Sequence, residues 1–66
     1  MKIVVNGSER AIDATLNLQL LLESLGTSVK NFAVELNGEI IPAVSYAATL
    51  LKEGDRIEII QFVGGG

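Results

Sequence analysis

Only one stretch of this chain of 66 residues abandons a two-residue period for a helical one, and that limits its fold more than any other feature. Leu18, Leu21, Leu22 and Leu25 stand at i, i+3, i+4 and i+7, the spacing of a single helix face suited to covering a sheet. The spacing predicts a helix over Leu16 to Leu25. Thr15 or Asn17 would cap its start by accepting an orphan backbone N–H, and Gly26 would close it in the left-handed region. Leu20 lies off the stripe, which predicts a helix buried on more than one side.

The flanking segments read as strands. Lys2-Ile3-Val4-Val5 is a β-branched run in which Ile3 and Val5 share one face. Asn6-Gly7 follows, the strongest short hairpin signal because both residues tolerate the positive φ of a type I′ turn. Ser8 to Ile12 then returns antiparallel. Phe32, Val34 and Leu36 alternate with Ala33 and Glu35, Asn37-Gly38 supplies a second hairpin, and Glu39-Ile40-Ile41 runs to Pro42, which ends an edge strand. Val44 to Leu51 is irregular, with a helical turn predicted at Tyr46 to Ala48. Glu53-Gly54-Asp55 turns into the strongest strand, Arg56 to Phe62.

The order is therefore β-β-α-β-β-β. One amphipathic helix covers one face of a sheet and leaves the other wet. The first and last strands are the most regular and are natural central neighbours; separated by the whole fold, they run parallel. The expected class is α+β, a β-grasp: a mixed four- to five-stranded sheet with one main helix on one face. It spans residues 1–63, with 64–66 as a flexible glycine tail.

Composition narrows the chemistry. The chain has no Cys and no His, so disulfides, thiol nucleophiles, thiolate metal sites and the usual base of a catalytic triad are missing. It has no Trp, 5% aromatic residues and a formal charge of −3, the wrong composition for a base-stacking platform and the wrong sign for binding phosphate backbones. No apolar run approaches the ~20 residues of a membrane span, and no leader pattern opens the chain. The expectation is a cytoplasmic protein with no nucleic-acid or membrane partner, no metal and no bound cofactor. It is not an enzyme by itself; its chemistry belongs to a partner's active site.

The group able to serve such a site is at the end of the sequence. Gly64-Gly65-Gly66 follows the last strand with no charged residue between. Such a triplet is frequently no more than a frayed end. Glycines lacking side chains can also be drawn as an extended thread into a narrow channel, which would present the Gly66 carboxylate to another protein. In a chain without Cys or His that carboxylate is the group to activate, as an acyl-adenylate open to attack by sulfur or nitrogen. Beside it, alternation places Ile57, Ile59, Gln61 and Val63 on one face of the last strand and Arg56, Glu58, Ile60 and Phe62 on the other. The charges mark the second face as open, so Ile60 and Phe62 either form a docking patch next to the tail or are ordinary exposed apolar surface. The carboxylates are scattered; Glu53 and Asp55 read as solvated turn residues. Tyr46 reads as a packed residue under a loop.

The stretch Lys52-Glu53-Gly54-Asp55-Arg56-Ile57-Glu58-Ile59-Ile60-Gln61-Phe62-Val63-Gly64-Gly65-Gly66 closely resembles the end of the ThiS family, the sulfur carriers of bacterial thiamine biosynthesis. Met1 to Gly7 and Leu36 to Pro42 resemble the same family. The Gly-Asp-x-Ile turn is shared by many ubiquitin-like carriers; Phe62-Val63 before the glycines is the more specific part. Ala43 stands where the family often has a charged residue, and Leu50 where it often has Pro.

The resemblance implies a ubiquitin-like β-grasp whose Gly66 is adenylated by an E1-like, ATP-using adenylyltransferase. Sulfur from a donor such as a cysteine desulfurase would convert the adenylate to a thiocarboxylate, and thiazole synthase would draw that sulfur off. Gly64 and Gly65 would form the thread, with Phe62, Val63 and Ile60 as partner contacts. The alternatives are a molybdopterin-synthase-type small-subunit carrier, a ubiquitin-like protein modifier, and a β-grasp interaction module whose glycines have no chemical role.

Overall fold

Two Asn-Gly pairs set the sheet edges. Asn6 and Gly7 have φ of 49° and 82°, and Asn37 and Gly38 have φ of 54° and 85°. With positive φ at both central residues, each pair closes a two-residue hairpin whose twist matches that of its strands. In the computed structural model, which describes residues 1–26 and 32–61, the first turn joins β1 (Lys2–Val5) to β2 (Ser8–Ala11). The second joins β3 (Phe32–Leu36) to β4 (Glu39–Ile41). Val5 pairs with Ser8 and Leu36 with Glu39, so neither hairpin carries a bulge. The last strand, β5 (Arg56–Gln61), is parallel to β1 and antiparallel to β3, giving the order β2-β1-β5-β3-β4. This is the five-stranded mixed sheet of a ubiquitin-like β-grasp, with the first and last strands adjacent and parallel as alternation and chain order predict.

The helix, α1 (Leu18–Ser24), is shorter than the predicted Leu16 to Leu25. Seven residues are too few to be stable alone, so tertiary contacts must hold them. They do so by satisfying the exposed donors of the first turn. Leu18 N donates to Thr49 O at 2.9 Å and Gln19 N to Tyr46 O at 3.2 Å. Leu20 N donates to the Asn17 side chain at 2.8 Å. Asn17, rather than Thr15, is thus the cap, and its Nδ2 also donates to Ala47 O at 3.2 Å. Gly26, at φ 71°, follows the last turn in the left-handed conformation expected of it.

The expectation that Leu20 lies buried is overturned: it is 46% exposed. Two residues on from Leu18 at about 100° each, Leu20 points away from the stripe, and no second layer covers that side. The helical turn expected at Tyr46 to Ala48 is a hydrogen-bonded turn, with Ala48 N donating to Ser45 O at 3.1 Å and Thr49 N to Tyr46 O at 3.2 Å, and it continues a 3-10 turn over Ala43–Ser45 that follows Pro42. Tyr46 is buried and stacks on Phe32 with ring centroids 6.3 Å apart, as a packed residue under a loop should.

The core lies between α1 and one face of the sheet. Ile3 and Val5 of β1, Val34 of β3 and Ile57 of β5 meet Leu18, Leu21 and Leu22, with Tyr46 and Leu51 closing one end. All four residues of β2 are exposed, because one short helix does not reach that edge.

Candidate functional site

β5 is held at both of its flanks by the hairpin asparagines. Asn6 N donates to Ile57 O at 2.9 Å, and Asn6 Oδ1 accepts from Ile59 N at 2.7 Å. Asn37 N donates to Arg56 O at 2.8 Å, and Asn37 Oδ1 accepts from Arg56 N at 2.9 Å. Asn37 Nδ2 in turn donates to Asp55 Oδ1 at 3.0 Å, while Asp55 Oδ2 accepts from Lys52 N at 2.7 Å. Asp55 is only 7% exposed, which corrects its reading as a solvated turn residue: its carboxylate ties the turn before β5 to the second hairpin. Glu53 remains exposed, with both carboxylate oxygens accepting from Lys2 N at 3.1 and 3.3 Å.

So fixed, β5 presents its two faces as alternation requires. Ile57 is fully buried and Ile59 packs on the core. Arg56, Glu58 and Ile60 face outward, Ile60 being 42% exposed. On that open face Ile60 lies opposite Ala33, and Glu58 lies opposite Glu35. Glu35 in turn lies opposite Ile40, which is 66% exposed. The surface beside the exit of β5 is therefore a small apolar patch crossed by two like charges in direct opposition, an arrangement that is mildly unfavourable in an isolated sheet. Ile40 and Glu35 were not singled out from the sequence. Alternation alone puts Ile41 inward and Ile40 outward, but the register that sets Ile40 in one row with Glu35 and Glu58 depends on β3 lying between β4 and β5.

Of the sequence-predicted site residues, Ile60 stands on this face. Phe62, Val63, Gly64, Gly65 and Gly66 lie outside the described residues and follow directly on Gln61, which pairs with Phe32 at the end of the central strand.

The described residues hold no group of three or more potential metal ligands, and no buried side-chain nitrogen or oxygen among them lacks a hydrogen-bond partner. A depression on the helix side of the sheet, floored by Val5, Leu25 and Ile59 and edged by Ser8, Arg10 and Gln61, is open to solvent. The Asp13 carboxyl has a lowered pKa. The Thr15 backbone N–H, and then the Thr15 hydroxyl, hold it below its ordinary value. That is an Asx turn ahead of the helix, an exposed local structure with 2.9 and 2.7 Å bonds.

Known proteins resemble this chain in both sequence and fold. The ThiS family matches over residues 3–66. A thiazole synthase from Paramagnetospirillum magneticum is 46% identical over 66 residues; the match covers all of this chain and 20% of that protein, so the chain spans a fifth of that relative's length. The sulfur carrier protein ThiS of Escherichia coli is 29% identical over 66 residues and matches end to end. The crystal structure of a thiamine biosynthesis protein (ThiS) from Geobacter metallireducens superposes with a TM-score of 0.85 at 38% identity, covering all of both chains.

Proposed function

The chain belongs to the ThiS family, and from that premise we propose that it is a sulfur carrier of thiamine biosynthesis rather than an enzyme. Gly66 is the reacting residue. Its carboxylate attacks the α-phosphate of ATP in the site of an E1-like adenylyltransferase, releasing pyrophosphate and leaving an acyl-adenylate. The terminal sulfur of a donor persulfide, such as that of a cysteine desulfurase, attacks the carbonyl and AMP departs. A thiol then reduces the acyl disulfide, giving the thiocarboxylate. Thiazole synthase takes the sulfur, and the carboxylate returns. Gly64 and Gly65 form the thread that enters both partners, since no side chain obstructs it. Ile60, Phe62 and Val63 supply contacts where the carrier docks. The carrier works in the cytoplasm; among the described residues no helix is long and apolar enough to cross a membrane.

The observation that carries this reading is the family match running through residue 66, glycines included. Support for thiazole synthase as acceptor comes from the P. magneticum relative, where a segment like this chain forms a fifth of a protein of that name. The chemistry of the chain agrees: without Cys or His, it needs both activation and sulfur from outside.

The test is intact-mass spectrometry after incubation with ATP, the activating enzyme and a sulfur source. The expected product has one oxygen replaced by sulfur at Gly66, and a chain lacking Gly66 gives none. Sulfur acceptance by a chain extended beyond Gly66 and left unprocessed would overturn the mechanism. Isopeptide links to lysines as the main product would instead make the chain a protein modifier.

A further inference from the structure

The two Asn-Gly turns are alike in backbone but held differently, and the difference has a chemical consequence independent of sulfur transfer. Asn followed by Gly is prone to attack of the glycine backbone nitrogen on the Asn side-chain carbonyl, because no Cβ shields that nitrogen. Both turns are exposed. Attack requires the Asn amide to leave its hydrogen bonds and swing over the following peptide. At Asn37 both ends of the amide are engaged: Oδ1 by Arg56 N at 2.9 Å and Nδ2 by the Asp55 carboxylate at 3.0 Å. At Asn6 only Oδ1 is engaged, by Ile59 N at 2.7 Å, and no partner for Nδ2 is found among the described residues.

We propose that Asn6 is a site of spontaneous deamidation in the folded protein, and that Asn37, in the same dipeptide, is protected by Asp55. In the reaction Gly7 N bonds to Asn6 Cγ, the Cγ–Nδ2 bond breaks, and Nδ2 leaves as ammonia with the Gly7 amide proton. Water then opens the succinimide at either carbonyl. No oxidant or cofactor enters. Opening at the side-chain carbonyl gives Asp, which keeps an oxygen to accept from Ile59 N. Opening at the backbone carbonyl gives isoaspartate, whose extra backbone methylene breaks the two-residue turn and withdraws that acceptor. The tether on the strand that carries Ile60 is then lost. Each event adds one negative charge to the formal −3.

The experiment incubates the full chain, folded and in denaturant, at mildly alkaline pH, and follows each site by peptide mass spectrometry with isoaspartate detection. In denaturant the two sites convert at similar rates. In the folded chain Asn6 converts at least roughly tenfold faster than Asn37, the factor set by one additional hydrogen bond to a charged group. In D55N the group facing Asn37 Nδ2 no longer accepts through both oxygens, and the Asn37 rate rises toward that of Asn6. The readout is the rate at each site within one molecule: global destabilisation raises both rates together, whereas loss of the Asp55 partner raises the rate at Asn37 and leaves that at Asn6 unchanged. Equal rates in the folded wild-type chain, faster conversion of Asn37, no conversion of either site while the denatured chain reacts, or an unchanged ratio in D55N would each overturn the proposal.

Discussion

Replacing Asp55 by Ala removes the acceptor for Lys52 N at 2.7 Å and for Asn37 Nδ2 at 3.0 Å, at a position only 7% exposed. Hydrogen bonds to a charged group are each worth about 1.5–3 kcal/mol, but Asn37 is exposed and water can replace its lost partner, so the expected cost is about 2–4 kcal/mol. A domain of this length has about 3–10 kcal/mol of total stability. At 4–8 °C per kcal/mol for so small a domain, the melting temperature should fall by roughly 10–30 °C. D55N, which can still accept from Lys52 N, should lose about half as much. Thermal unfolding followed by circular dichroism, with urea titration to check for an unchanged slope, measures both. Well below its melting point, D55A should still accept sulfur at Gly66, because Asp55 acts on the fold and not on the chemistry. A melting point within about 3 °C of the parent would refute the view that this carboxylate secures the turn ahead of β5.

Leu21→Ala, at a position 1% exposed in the core, should cost about 2–5 kcal/mol and leave a chain partly unfolded at room temperature, seen as lost amide dispersion by NMR. Ile60→Ala should lower the melting temperature little, yet weaken binding to the adenylyltransferase or thiazole synthase by about 1–2 kcal/mol in a calorimetric titration; unchanged binding would remove Ile60 from the docking surface. Asp13 titrates below its ordinary value in the folded chain because Thr15 bonds its charged form. Its contribution to stability is therefore present above the ordinary aspartate range and is lost as pH falls through the lower folded value. Thr15→Ala, which deletes the hydroxyl bond of 2.7 Å, should raise the Asp13 pKa toward the ordinary value in an NMR titration.

Strand positions and the parallel pairing of the first and last strands were legible because alternation and the Asn-Gly turns are local signals with one geometric solution each. What eluded sequence reasoning was long-range. Nothing near Asp55 announces that Asn37, 18 residues earlier, will donate to it, so the residue passed for a solvated turn carboxylate. The helix start was placed too early because Leu16 continues the apolar pattern, while the carbonyl acceptors that fix Leu18 as the first residue come from the loop at Tyr46 and Thr49. Leu20 misled for a different cause: a leucine off the stripe implies burial only if a second layer exists to cover it. For the site, the apolar character of Ile60 and its face could be read from alternation, but the opposition of Glu58 to Glu35 is a matter of register and required β3 to be placed.

The adjacency of β1 and β5 also determines how the domain bears force. A pull on the C-terminal end of β5 against the N-terminal end of β1 runs along two parallel neighbours. The bonds Val4 N to Asp55 O and Asn6 N to Ile57 O, each 2.9 Å, and Ile59 N to Asn6 Oδ1, at 2.7 Å, are then loaded together in shear. The β3–β4 hairpin, pulled from its open end, would instead unzip one bond at a time. Resistance to such a load is governed by the unfolding rate rather than by equilibrium stability. Under the function proposed above, a pull on the tail that follows β5 would therefore load this parallel pair in shear rather than peel it open.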